Sequence, residues 1–75
     1  MTLCFNYSKL KGRIIEICGS NGAFIDGMGW SRPTYARKMS GESEWTDKEI
    51  AKAAELLKID FSEIHLYFFA LIVQN

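Results

Sequence analysis

Three cations fall within seven residues, Arg32, Arg37 and Lys38, in the segment Ser31-Arg32-Pro33-Thr34-Tyr35-Ala36-Arg37-Lys38-Met39-Ser40. At about 100° per residue of a helix, Tyr35 and Met39 share one face, while Pro33, Ala36, Arg37 and Ser40 cluster on the opposite one. The outward face is short, lightly built and cationic. A helix that enters the major groove of DNA needs that combination: bulky outward side chains would hold it off the base edges, and arginine can donate bidentately to guanine. A solvated helix face gives the same pattern, so the surrounding elements must decide between the two.

The other chemically capable residues assemble nothing. His65 is the single histidine, and no acid and nucleophile stand at a spacing that would make it catalytic. Cys4, Cys18 and His65 lack the paired-ligand spacing and the fourth ligand of a zinc site. No enzyme activity, metal or cofactor is expected, nor a small-molecule substrate. The two cysteines are expected as free, packed thiols of a reducing compartment.

Five helices are expected to position the cationic face. From Tyr7 to Cys18, Leu10, Ile14, Ile17 and Cys18 recur at helical spacing, with Ser8 as N-cap. Gly12 inside this helix points to a close approach of another backbone. Gly19 ends the first helix, and Ser20 or Asn21 caps a short second one running to Met28. Gly29 supplies the left-handed turn, and Ser31 caps the third helix, with Pro33 in its first turn where a missing N–H does no harm. Trp45 is expected to tuck back onto the core. Thr46-Asp47-Lys48-Glu49 is a capping box that opens the fourth helix, with Ile50, Ala53, Ala54 and Leu57 as its stripe. Asp60-Phe61-Ser62-Glu63 repeats the device before a fifth helix with Ile64, Tyr67 and Phe68.

Seventy-five residues make a single helix-turn-helix domain spanning 1–75, small enough that dimerisation would support it. Its apolar C-terminal tail, 67–75, is too short to span a bilayer, so it docks on its own core or pairs with a second copy. No membrane contact is expected. The net charge of zero conceals a division: residues 1–41 carry six cations against two carboxylates, and residues 42–75 three against seven. One half can face a polyanion while the other stays in solvent. Lys9, Lys11 and Arg13 supply half of the first part's cations and are candidate phosphate contacts, with a solvated helix face as the alternative.

Tyr-Ser-Lys-Leu-Lys-Gly-Arg-Ile at 7–14, Gly29-Trp30-Ser31-Arg32, Arg37-Lys38-Met39-Ser40-Gly41, Ser43-Glu44-Trp45-Thr46 and Tyr67-Phe68-Phe69 together resemble small phage and prophage Cro-like transcriptional regulators of the lambda-repressor-like helix-turn-helix family. The resemblance implies an all-α, five-helix DNA-binding domain with the helix-turn-helix at helices 2 and 3. It further implies a homodimer on double-stranded operator DNA, with the third helix in the major groove, in the cytoplasm and nucleoid of a bacterial host. By the same resemblance Ser31, Arg32, Pro33, Ala36 and Arg37 read bases, and Asn21 and Lys38 contact phosphate. Tyr67, Phe68 and Phe69 are the expected dimer contact. Three positions depart from the pattern: Pro33 replaces a polar reader, Ile25 stands where alanine is usual, and Lys58 replaces the glycine that ends the fourth helix. The competing expectation is a protein-binding module on the same fold, such as an antirepressor whose acidic half docks a partner.

Overall fold

The computed structural model describes the backbone of residues 4–69 and 71–72 and the side chains of residues 5–69. Its elements run β1 (Cys4–Phe5), α1 (Ser8–Cys18), α2 (Asn21–Met28), α3 (Arg32–Ser40), α4 (Asp47–Leu56), a 3-10 turn (Phe61–Glu63), α5 (Ile64–Phe68) and β2 (Leu71–Ile72). The expected five-helix all-α architecture is present, and the two short strands are an addition to it. Two paired residues carry no periodicity, so nothing in the sequence pattern announces them.

In α1, Leu10 and Ile14 lie one turn apart and are fully buried, with Ile17 and Cys18 packed beside them. The cap differs from expectation. Asn6 Oδ1, not Ser8, accepts a hydrogen bond from the backbone, taking the Ser8 N–H at 2.9 Å, so Ser8 is the first helical residue. The Asn6 carboxamide, two residues back, makes an Asx turn in place of the cap expected from Ser8. Gly12 does not mark a close approach: a Cβ there would meet no atom within 4 Å. Gly12→Ala should therefore add only helix propensity, raising stability by about 1 kcal/mol and the melting temperature by roughly 4–8 °C in a thermal scan.

The tight contact lies instead at Gly27, where a Cβ would stand 3.2 Å from Leu56 Cδ1, so α2 packs closely against α4. Ser20 Oγ accepts from Ala23 N to open α2, and Gly29, at φ 74°, closes it in the left-handed conformation that the turn into α3 requires. Lys52 on α4 reaches across, its Nζ donating to Met28 O at 3.3 Å, and so tethers the end of α2. The capping box of α4 is complete in both directions between Thr46 and Glu49. Asp60 also caps as expected, accepting from Ser62 N, but it opens the 3-10 turn that leads into α5 rather than an α-helix directly.

Phe24, Phe68, Leu10, Ile14 and Leu57 are the largest fully buried side chains, and helices α1, α2, α4 and α5 surround them. Trp45 tucks back as expected, its ring 4.9 Å from Phe68 and 5.3 Å from Trp30. The tail docks on its own chain: Leu71–Ile72 pairs antiparallel with Cys4–Phe5, Ile72 opposite Cys4 and Leu71 opposite Phe5. Cys18 is a free, half-buried thiol, while the Cys4 side chain and residues 73–75 of the tail lie outside the described residues.

Candidate nucleic-acid interface

Why α3 forms where it does is a local matter. Ser31 Oγ accepts from Thr34 N at 3.3 Å, and Pro33 occupies the first turn, where amides have no intrahelical partner. Tyr35 and Met39 point inward, Tyr35 standing edge-on to Phe24 with ring centroids 6.1 Å apart. That contact turns Pro33, Ala36, Arg37 and Ser40 to solvent, Ser31 and Arg32 stand open at the helix start, and all six are exposed. The expected outward face is therefore present, with one change of emphasis. The Ser31 hydroxyl is already engaged by the cap and lies 3.0 Å from Thr34 Oγ1, so less of it is free for a partner.

Asn21, the first residue of α2, is exposed beside this face, and the Tyr35 hydroxyl donates to its Oδ1 at 3.1 Å. Burial pushes the Tyr35 phenol above its ordinary value, so it remains a donor at neutral pH. With Oδ1 engaged, the carboxamide is oriented and its N–H2 group is left for an acceptor such as a phosphate oxygen. Tyr35 is thus an orienting residue that sequence reasoning counted only as core. Arg32 leans over the start of α2, one guanidinium nitrogen 3.6 Å from where a Cβ on Gly22 would be. Neither Arg32 nor Arg37 forms an ion pair among the described residues.

Four of the nominated residues are placed differently. Lys38 is 8% exposed, and its Nζ donates to Glu49 Oε1 at 2.7 Å and to the Glu44 carbonyl at 2.6 Å. It also lies 5.9 Å from the centre of the Trp30 ring. This cation joins α3 to α4 and is not available to phosphate. Arg13 is engaged as well: Nε donates to Leu57 O at 2.9 Å and one terminal nitrogen to Lys58 O at 3.0 Å, with Glu16 at 3.3 Å from the other. Its fork satisfies the carbonyls that end α4, where a cation also opposes the negative end of the helix dipole. Lys58 stands at φ 54°, the left-handed position expected of it, and Arg13 clamps that turn. Tyr67 and Phe68 are 8% and 2% exposed and belong to the chain's own core, so among the proposed dimer residues only Phe69 offers surface.

Lys9 and Lys11 remain exposed on α1, with Lys9 Nζ 5.2 Å from the centre of the Tyr67 ring. What distinguishes Arg13 and Lys38 from Lys11 is the acceptor within reach and not the helical position. All three sit at the boundary between the inward and outward faces, about 80° from the centre of the inward one. Of the three, only Arg13 and Lys38 meet carbonyl or carboxylate acceptors from elsewhere in the chain among the described residues. From there a long aliphatic stem can take its charge to either side.

A capped second helix, a left-handed glycine and a third helix packed across the second make a helix-turn-helix held in an all-α, five-helix domain. The chain belongs to the family described as protein of unknown function (DUF739), which matches residues 3–71. Among solved structures it is similar to the solution structure of the modulator of repression (MOR) of the temperate bacteriophage TP901-1 from Lactococcus lactis. That similarity is 38% identity over 87% of this chain and 88% of that one, with a TM-score of 0.77. No curated protein matches the chain.

Proposed function

We propose that the chain is a small phage or prophage regulator of the Cro-like kind that binds operator DNA as a dimer, with α3 in the major groove. The observation that carries this reading is the exposed outward face of α3 with its open N-terminus, where Arg37 and Arg32 stand free of ion pairs among the described residues. Asn21, oriented by Tyr35, supplies a backbone contact at the flank. With Pro33 and Ala36 offering only apolar contact, Arg32 and Arg37 carry the direct base readout.

The internal engagement of Lys38 and Arg13 sets a quantitative expectation. Each subunit keeps Lys9 and Lys11 as nominated phosphate cations in place of four, so a dimer neutralises about four phosphates rather than about eight. The slope of log K against log salt should then be about −4 rather than about −7. Titration of operator and random duplexes at several salt concentrations measures it. Selection from a random duplex pool supplies the operator beforehand, and failure to enrich any sequence refutes the DNA reading.

A second reading has its own support. The similar protein from phage TP901-1 is a modulator of repression, and the low cation supply around α3 suits a protein surface as well as a polyanion. In this reading the same exposed face docks on a repressor. A helix-turn-helix face that selects no duplex yet binds the repressor of its own phage, with loss on Arg37→Ala, would establish it.

A further inference from the structure

Phe61 is 88% exposed, the most exposed large apolar side chain among the described residues. It stands at the edge of a groove of about 460 Å3 between α4 and the 3-10 turn, a surface that shares no residue with the face of α3. The floor is one stripe of α4, Ile50, Ala51 and Ala54, which follow Asp47 by three, four and seven residues, and the opposite wall is Phe61, Ile64 and Phe69. Two alanines in the floor leave room for another backbone to approach as closely as packed helices do.

The ends of this stripe are charged, and both are acidic. Asp47 lies at one end of the groove and Glu55 at the other, and neither forms an ion pair among the described residues. Eight residues of α-helix separate them by about 12 Å. The lysines of α4 leave the groove negative: Lys48 and Lys52 do not line it, and Lys52 is turned to the end of α2. A symmetric pairing of two copies through this surface would set Asp47 and Glu55 against the same carboxylates, which like-charge contact disfavours.

We propose that the groove is a docking site for a helical segment of a partner protein, apolar on one face and carrying Lys or Arg at two positions about two turns apart. The apolar face covers Ala51, Ala54 and Phe61, and the two cations meet Asp47 and Glu55. This surface stands independently of the nucleic-acid reading, because a regulator whose α3 is occupied still presents it.

The test uses the full chain as bait for a library of displayed helical peptides, followed by anisotropy titration of the best synthetic peptide. Selected sequences should carry apolar residues at helical spacing with Lys or Arg seven or eight positions apart. Affinity should fall at least about tenfold in Ala51→Arg, which blocks the floor, and about tenfold in Glu55→Lys, which reverses one end. Both positions are solvent-exposed, and circular dichroism checks that each variant folds. Acidic or uncharged flanks in the selected peptides, binding indifferent to both substitutions, or no enrichment would overturn the proposal. So would self-association of the chain that Ala51→Arg abolishes, since a second copy would then be the occupant.

Discussion

Lys38→Ala is expected to destabilise the protein by about 2–3 kcal/mol and lower its melting temperature by roughly 10–20 °C. The substitution leaves Glu49 charged beside the core and the Glu44 carbonyl without its donor. The expected cost is below that of a fully dry pair because the Glu49 side chain keeps 23% of its surface in water. Burial alone would raise the Glu49 carboxyl. Hydrogen bonds from Lys38 and Thr46, with the charge of Lys38, outweigh it and hold the group below its ordinary value of 4.5. A carboxyl so held stabilises the fold fully above that ordinary value, and the contribution is lost as pH falls through the lower folded one. Acid denaturation of the wild type should therefore show a steeper loss below about pH 4.5 than Lys38→Ala shows. Asp60, lowered by its bonds to Ser62, titrates alike in both proteins and serves as the internal reference. A wild-type melting temperature in Lys38→Ala, with weaker DNA binding, would return Lys38 to the phosphate backbone.

Arg37→Ala is expected to cost about 1–3 kcal/mol of operator binding and to relax preference at one base pair, with stability unchanged. The Arg37 side chain is exposed and makes no hydrogen bond among the described residues, while its carbonyl, which accepts from Ser43 N and Ser40 Oγ, survives the substitution. A loss of affinity at constant melting temperature thus isolates recognition from folding, which Lys38→Ala cannot do. Equal affinity of wild type and variant for the selected operator would remove Arg37 from the groove. A loss shared equally by operator and random duplexes would make it a phosphate contact instead.

The contrast between these two neighbouring cations marks the boundary of what the sequence makes legible. Gly29 in its left-handed turn, the Thr46–Glu49 capping box and the Ser20 and Ser31 caps are settled by residues within four positions of one another, and local chemistry is readable as a string. The inward and outward faces of α3 follow from helical period for the same reason. Lys38 and Arg13 sit where the period is silent, and their partners lie elsewhere: Glu49 is eleven residues away on α4, and the Leu57 carbonyl is forty-four residues from Arg13. The Asn21–Tyr35 bond, fourteen residues apart, was hidden likewise. Tyr67 and Phe68 are the converse case, buried where the sequence suggests surface. An aromatic run beside a chain end looks like a sticky surface until the core that it fills is assembled.

Trp30 and Trp45 are the only two tryptophans, and their rings stand 5.3 Å apart at an interplanar angle of 63°. One belongs to the turn of the helix-turn-helix and the other to the connection behind α3, so the pair spans the base of the recognition element. Indoles this close couple their electronic transitions, and the coupling depends steeply on separation and angle. The near-ultraviolet circular dichroism of the unlabelled protein is therefore an optical gauge of how α3 is seated, able to register a tilt of that helix on engaging a partner while the far-ultraviolet spectrum stays constant.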